Sequence, residues 1–361
     1  MHLRDLSLTQ FRAHTSTSFP AAPGVNLIVG PNGAGKTNLL EAVSVLSPGR
    51  GLRRVAAAEM GRRDAGVGWK VTAAVAGHEV ETWAEPDAAR QVRIDGKAAA
   101  QTGLTRLLSV VWLVPVMDRL WIEGADGRRR FLDRMTMGFA ADHAEAALTY
   151  EKAMRERNRL LKDEVRDPAW YRALEGRMAE AGAVIDANRR AAIGRVTAAQ
   201  EGAATAFPAA ELALVGPEGE EDALTAEGLA AAFADGRGRD MAAGRTLAGP
   251  HRSDLTAVWA EKGIPAREGS TGEQKALLIS LVLSTARALA RDEGRAPVIL
   301  LDEVAAHLDE GRRRALYDEI AALGAQAWMT GTGPELFEAL GDRAQRLRVE
   351  ETGGASRVVA E

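Results

Sequence analysis

The chain of 361 residues contains no cysteine, which excludes disulfides, cysteine–zinc sites and thiol catalysis together. Such a chain suits a reducing cytosol. Long apolar runs are missing as well: "ALLISLVLS" falls well short of the ~18–20 residues that cross a bilayer. The first residues, "MHLRDLSLTQFRAH", alternate apolar and polar side chains like a strand and lack the apolar centre of a signal peptide. Charge of one sign is not in excess, with a net charge of −4, so an anionic partner must be held by a local basic patch. There is no internal repeat, heptad tract, helix-turn-helix, zinc motif or aromatic platform for stacking bases, so nothing points to sequence-specific recognition of nucleic acid.

What is present describes an ordinary globular protein, 46% hydrophobic and 27% charged. The length allows roughly two domains of ~150 residues. "GVNLIVG" (24–30) reads as a buried strand ending in a glycine-rich turn, and "KTNLLEAVSVL" (36–46) as the helix after it. Short alternating runs over 66–95 predict antiparallel strands, and "LLSVVWLVPV" (107–116) another buried strand. From 118 to 205 the periods become helical. One helix places Ala147, Tyr150, Met154, Leu161 and Val165 on a face; beyond Pro168 a second places Trp170, Leu174, Met178, Ala181 and Ile185. After the acidic loop "VGPEGEED" (215–222), strand and turn return in "LAGPHRSDL" (247–255), "PVILLDEV" (297–304) and "QAWMTGT" (326–332). The expected division is 1–116 and 246–361 for an α/β body, with 117–245 as a helical insertion.

"GPNGAGKT" (30–37) fits the phosphate-loop pattern G-x-x-x-x-G-K-[ST] and lies where it must, between a buried strand and a helix start. Backbone N–H groups of Gly30, Pro31, Asn32, Gly33, Ala34, Gly35, Lys36, Thr37 and Asn38, proline excepted, are placed to form an anion nest at the helix N-terminus. Gly33 and Gly35 let the backbone approach phosphate, Lys36 supplies a positive charge, and Thr37 offers a hydroxyl to Mg²⁺. The metal needs a carboxylate, and "VILLDE" carries Asp302 and Glu303 at the carboxyl end of a buried strand, where ligands of open α/β sheets collect. Asp302 is expected to hold Mg²⁺ and Glu303 to act as general base or to orient water. An acidic turn after a core strand is the plain alternative.

"REGSTGEQKALLISLVL" (267–283) joins a polar turn to a helix apolar almost all round. Ser270 and Glu273 make a capping box. Capping does not require Gly272, Gln274 or Lys275.

Together these motifs resemble the ATP-binding-cassette ATPases: a Walker A loop, a signature turn at Ser270–Gln274 (Ser270, Thr271, Gly272, Glu273, Gln274), Walker B 32 residues after Ser270, and "HLDE" (307–310) as a D-loop with Asp309 as its acid. In that family two heads close around ATP, the signature of one touching the γ-phosphate held by the other. The resemblance therefore implies an ATP-dependent homodimer. "LTQFRAH" (8–14), "GPNGAGKTNLLEAV" (30–43), "SPGRGLRR" (47–54), "RRRFLDR" (128–134), "RNRLLK" (157–162) and "GPHRSDL" (249–255) resemble more narrowly the RecF family of recombination-repair ATPases, related to SMC heads. That resemblance implies an ABC-type α/β head with a mixed sheet and a helical second lobe, ATP and Mg²⁺ as cofactors, and slow, DNA-stimulated hydrolysis. It also implies binding to double-stranded DNA beside single-stranded gaps, and partnership with RecR and, indirectly, RecO and RecA in replication restart and the SOS response. The implied location is cytoplasmic, on the nucleoid when bound to DNA, with no membrane.

Two features depart from the cassette pattern. "PVMD" follows the strand at 107–114 where a γ-phosphate-sensing Gln is usual, and "MTGT" replaces the usual His, leaving Thr330 or Thr332 as substitutes.

For DNA, Lys152, Arg155, Arg159, Lys162 and Arg166 advance by three and four residues as one helical stripe. A solvated face with Glu156 and Asp163 in i,i+4 pairs explains the stripe equally well. Arg50, Arg53 and Arg54, and Arg128, Arg129 and Arg130, are further basic candidates. The rival functions are a transporter-type cassette subunit, whose signature would read closer to "LSGGQ", and an SMC-like, nucleotide-gated dimer without gap specificity.

Overall fold

The computed structural model describes residues 2–63 and 65–361, which divide into two compact units. The first comprises residues up to Arg119, Ala199–Ala209 and Gly269–Glu361; the second, Leu120–Ala198 and Ala210–Glu268.

Alternation in the N-terminal third makes an antiparallel sheet of β1 (Leu3–Phe11), β2 (His14–Phe19), β4 (Trp69–Val75), β5 (His78–Ala84), β6 (Gln91–Ile94) and β7 (Lys97–Ala99), in the order β2-β1-β4-β5-β6-β7. β4 shows the cause directly: Trp69, Val71, Ala73 and Val75 are buried, and the residues between them are half-buried. Continuous apolar runs make a second sheet, β15-β14-β3-β13-β12-β8, from β3 (Val25–Val29), β8 (Val110–Leu113), β12 (Val298–Leu301), β13 (Ala327–Gly331), β14 (Ala344–Thr352) and β15 (Ala355–Ala360). Its pairings are parallel except for the β14–β15 hairpin, so the sheet is mixed. All of β3, β12 and β13 is buried, as parallel strands covered on both faces must be. Three helices complete this unit: α1 (Lys36–Ser44), α7 (Thr271–Glu293) and α8 (Glu310–Ala322). The strand expected over 107–116 is shorter, because Pro115 opens a 3₁₀ turn that runs to Arg119.

The second unit holds α2 (Ala125–Phe139), α3 (His143–Lys162), α4 (Pro168–Ala198), α5 (Ala226–Asp235) and α6 (Arg237–Ala243). Pro168 is the first residue of α4, where its missing N–H costs nothing. A three-stranded antiparallel sheet, β11-β10-β9, joins them: β9 (Ala210–Val215), β10 (Asp254–Trp259) and β11 (Ile264–Pro265). β10 pairs along its whole length with β9, which carries the unit on to Glu268 rather than the expected 245. Conversely, Ala199–Ala209 belongs to the first unit, where the Arg287 guanidinium donates to the Ala199 carbonyl at 3.1 Å and the Thr205 hydroxyl to Glu319 at 2.9 Å. Two side chains depart from their expected faces. Val165 lies beyond the end of α3, and Trp170, in the first turn of α4, is 63% exposed.

Candidate functional site

The phosphate loop is set by β3, whose five buried residues fix its start, and by α1, which begins at Lys36. Gly33 and Gly35 have φ of 83° and 103°, a region that any side chain strains. A Cβ on Gly33 would meet open space, so its freedom serves approach from outside. A Cβ on Gly35 would instead collide with the Ser356 hydroxyl of β15, so that glycine makes room for the protein's own strand.

The Lys36 ammonium donates to the carbonyls of Gly30 and Pro31 at 2.8 and 2.9 Å, lying across its own loop. Burial lowers its pKa, and the nearby charges of Glu303 and Asp302 oppose that shift. The Thr37 hydroxyl donates to both oxygens of Asp302 at 3.0 and 3.1 Å, so Walker A and Walker B meet although 265 residues separate them. This donor set fits a phosphate-bound divalent ion. Among the described residues no group of three acidic or histidine side chains could hold a metal alone, so phosphate oxygens would have to complete the shell.

Glu303 adopts φ 55°, an uncommon left-handed conformation for a non-glycine. Its N–H donates to the Thr330 hydroxyl at 2.9 Å, and that hydroxyl donates to Asp302 at 2.7 Å. Thr330 is thus the hinge pin of Walker B: one side chain from β13 orients the Asp302 carboxylate and the Glu303 backbone. Sequence reasoning weighed it only as a stand-in for a missing His.

The signature turn is a true capping box: Ser270 N–H donates to Glu273 at 2.7 Å, and the Ser270 hydroxyl accepts from the Glu273 N–H at 3.4 Å. Thr271 is exposed, Gln274 is buried with its amide donating to the Gly269 carbonyl at 2.8 Å, and a Cβ on Gly272 would meet nothing within 4 Å. Packing within the chain therefore does not account for Gly272. Lys275 ion-pairs at 3.1 Å with Asp118, the acid of "PVMD". Behind the turn, Leu277, Leu278, Ile279, Leu281, Val282 and Leu283 are all buried, which anchors α7. Asp309 caps α8 by accepting from the Arg312 N–H at 2.8 Å.

The basic candidates separate. Lys152, Arg155, Arg159 and Lys162 are exposed on α3, with Arg159 near Asp163 at 3.8 Å, whereas Arg166 lies past the helix end and off its stripe. Arg50, Arg53 and Arg54 are exposed, yet Arg53 donates to Asn38 and Glu41 at 2.9 and 3.1 Å, tying it to α1. Arg128 forks onto Asp254 with two bonds of 2.8 Å, Arg129 donates to the Ser253 carbonyl at 2.9 Å, and Arg130 pairs with Asp126. Arg157, inside the "RNRLLK" motif, is fully buried and bonds Glu175, Asp240, Thr246 and the Phe233 carbonyl.

Two groups beside the phosphate loop, one half-buried and one buried, escaped the sequence reading. Arg12 makes a bidentate pair with Glu41 of α1 at 2.6 and 2.8 Å. His14 bonds Thr17 at 3.0 Å; burial lowers its pKa to about 4, partly opposed by the Gly35 backbone. Both lie in the quoted "LTQFRAH", whose place in the resemblance was the available signal.

Residues 2–354 match the sequence model of the RecF/RecN/SMC N terminal domain. The chain is 46% identical to the DNA replication and repair protein RecF of Brucella suis biovar 1 (strain 1330), over 96% of this chain and 94% of that protein. It is equally identical to the protein of that name from Mesorhizobium japonicum, covering 97% and 96%. A solved structure of the recombination mediator protein RecF with ATPrS, from the RecFOR pathway, superposes with a TM-score of 0.84 at 24% identity over 99% of this chain and 98% of that one. With Walker A, Walker B and the lobe-specific motifs all placed in one fold, this chain belongs to the RecF family of DNA replication and repair proteins.

Proposed function

We propose that the protein is an ATP-gated DNA clamp of recombinational gap repair. The observation that carries this reading is the Thr37–Asp302 contact at 3.0 Å, which joins a phosphate loop to a buried carboxylate inside a RecF-family fold. Residues 30–38 hold the nucleotide through backbone N–H groups and Lys36, and Thr37 and Asp302 supply the protein ligands of a Mg²⁺ ion. When bound, that ion neutralises charge on the β- and γ-phosphates. Glu303 polarises the attacking water; its half-exposed position leaves the carboxylate reachable. Ser270, Thr271, Gly272, Glu273 and Gln274 contact the γ-phosphate bound by a second copy, with Asp309 at the same junction. The empty space beside Gly272 supports that assignment.

ATP therefore closes a homodimer on duplex DNA beside a single-stranded gap, and slow, DNA-stimulated hydrolysis reopens it. With RecR, and through it RecO and RecA, the clamp serves replication restart and the SOS response. The candidate DNA contacts are Lys152, Arg155, Arg159 and Lys162 on the second unit and, separately, Arg50 and Arg54 on the first. No helix among the described residues is long and apolar enough to cross a membrane; the working place is the cytoplasm and nucleoid.

Sedimentation with and without ATP, on gapped and intact duplex, tests the whole reading. A dimer that forms only with ATP and prefers gapped DNA supports it. An ATP dimer indifferent to DNA would return the chain to a nucleotide-gated SMC-like head.

A further inference from the structure

The C-terminal hairpin β14–β15 reaches the phosphate loop from the far end of the chain. The Ser356 hydroxyl donates to the Ala34 carbonyl at 2.6 Å, and the Ser356 N–H to the Ala13 carbonyl at 2.8 Å. Ser356 is 5% exposed, and it fills the place that a side chain on Gly35 would need. Val349, on the same hairpin, puts its carbonyl where a Cβ of Gly30 would fall. Arg62 fastens the hairpin turn from the other side, donating to the carbonyls of Gly354 and Ala13 at 3.0 and 3.2 Å. Both flanking glycines of the loop are therefore small because the hairpin lies against them.

The consequence follows from peptide geometry. A trans peptide is planar, with its C=O and the next N–H pointing in opposite directions. Holding the Ala34 carbonyl toward Ser356 turns the Gly35 N–H the other way, away from β15. Anion nests work by converging backbone N–H groups, and a peptide free to flip would present a carbonyl to the phosphate instead.

We propose that Ser356 is a positioning residue for nucleotide: its hydroxyl locks the Ala34–Gly35 peptide so that the Gly35 N–H faces the phosphates. The C-terminal hairpin thereby sets phosphate affinity without touching the ligand. This rests on reading residues 30–38 as the nucleotide site, and the test separates the two.

Titration calorimetry with ATP and with ADP, on the full-length chain, compares Ser356→Ala, Ser356→Thr and Lys36→Ala, with thermal unfolding of each. Losing one hydrogen bond that orients a donor is expected to weaken both nucleotides by ~5- to 10-fold in Ser356→Ala, with a melting temperature lowered by no more than a few degrees and full binding stoichiometry. Ser356→Thr, which keeps the hydroxyl, is expected to bind within ~2-fold of the parent. Unchanged affinity in Ser356→Ala, while Lys36→Ala has lost ATP, overturns the role of Ser356 alone. So does a fall in stoichiometry at constant affinity, or a Thr variant as weak as the Ala variant, since either assigns the loss to packing. Retained ATP binding in Lys36→Ala would overturn the nucleotide site itself.

Discussion

Thr330→Val is the most informative single change at the proposed catalytic centre. It keeps the shape of a side chain that is 1% exposed and removes only its hydroxyl. Two bonds disappear: the donation to Asp302 at 2.7 Å and the acceptance from the Glu303 N–H at 2.9 Å. A bond to a charged group is worth ~1.5–3 kcal/mol and a neutral one ~1 kcal/mol. Thr37 continues to hold Asp302, so the carboxylate is not left alone. What is lost is the restraint that keeps Glu303 in its left-handed conformation beside Asp302. If half to most of the two bonds acts on the transition state, the loss is ~1.5–3 kcal/mol, or roughly 10- to 150-fold in turnover. ATP affinity should change little, because neither bond touches the phosphate loop. Single-turnover hydrolysis and equilibrium binding, measured side by side, check this, with Thr330→Ser expected to restore most of the rate. A Val variant that hydrolyses ATP at the parent rate would refute the reasoning, since Walker B would then be positioned without Thr330.

Glu303→Gln should bind ATP normally, lose hydrolysis and accumulate the ATP-bound dimer on a sizing column; normal turnover would remove Glu303 from its assigned role. Replacing Lys152, Arg155 and Arg159 with Glu should weaken duplex binding and flatten its salt dependence by about three charges at ~0.9 per phosphate, whereas an unchanged slope would make the stripe a solvated face. By contrast Arg157→Ala, two residues from Arg155, should cost ~3–5 kcal/mol of stability by taking the arginine partner from buried Asp240 and leaving Glu175 to Arg237 alone. Stability should also fall with acid: burial lowers His14 and His251 from 6.5 to about 4, so both are neutral when folded and protonated when unfolded between those values. Their contribution is complete above pH 6.5 and declines as pH falls toward 4, by ~2 kcal/mol per histidine at pH 5; denaturant midpoints equal at pH 7 and pH 5 would contradict it.

The site was legible where spacing is local. A phosphate loop announces itself in eight residues, and a Walker B strand in six, because each is a strand end whose chemistry lies next to it. The partners of those motifs were not legible, since they come from remote strands. Nothing near Gly35 announces Ser356, and nothing near Asp302 announces Thr330 as its clamp. The C-terminal hairpin went unread for a related reason: its strands are charged and short of apolar runs. Errors on the helices have another cause. Tyr150, Ala153, Arg157 and Leu161 are the buried stripe of α3, so an arginine occupies an apolar-face position. A rule that places arginine outside cannot find it, because what admits it is a set of acids on other elements, Glu175 of α4 and Asp240 of α6. Trp170 fails in the opposite direction, since the apolar period starts before the packing does.

Three of the motifs that carry the narrower resemblance have a common destination in the second unit. "RRRFLDR" meets "GPHRSDL" through Arg128–Asp254 and through Arg129 on the Ser253 carbonyl. Asp133 of the same motif holds Arg189, which donates to the Pro250 carbonyl at 2.7 Å. "RNRLLK" arrives at the neighbouring turn, with Arg157 on Thr246 and Asn158 accepting from the Thr246 N–H and hydroxyl, both at 2.8 Å. These arginines are fasteners, and their charge is spent within the unit. That narrows the search for DNA contacts to the exposed cations on and beside the quoted motifs. On α3 the buried side is pinned by Arg157, while Lys152, Arg155, Arg159 and Lys162 face solvent. Phosphate binding needs cations that do not move when loaded, because a mobile side chain gives back in entropy much of what it gains in charge. A basic stripe on a helix fixed from behind by ion pairs meets that requirement, so on the proposed reading the fastening residues would contribute rigidity to DNA binding and the exposed ones charge.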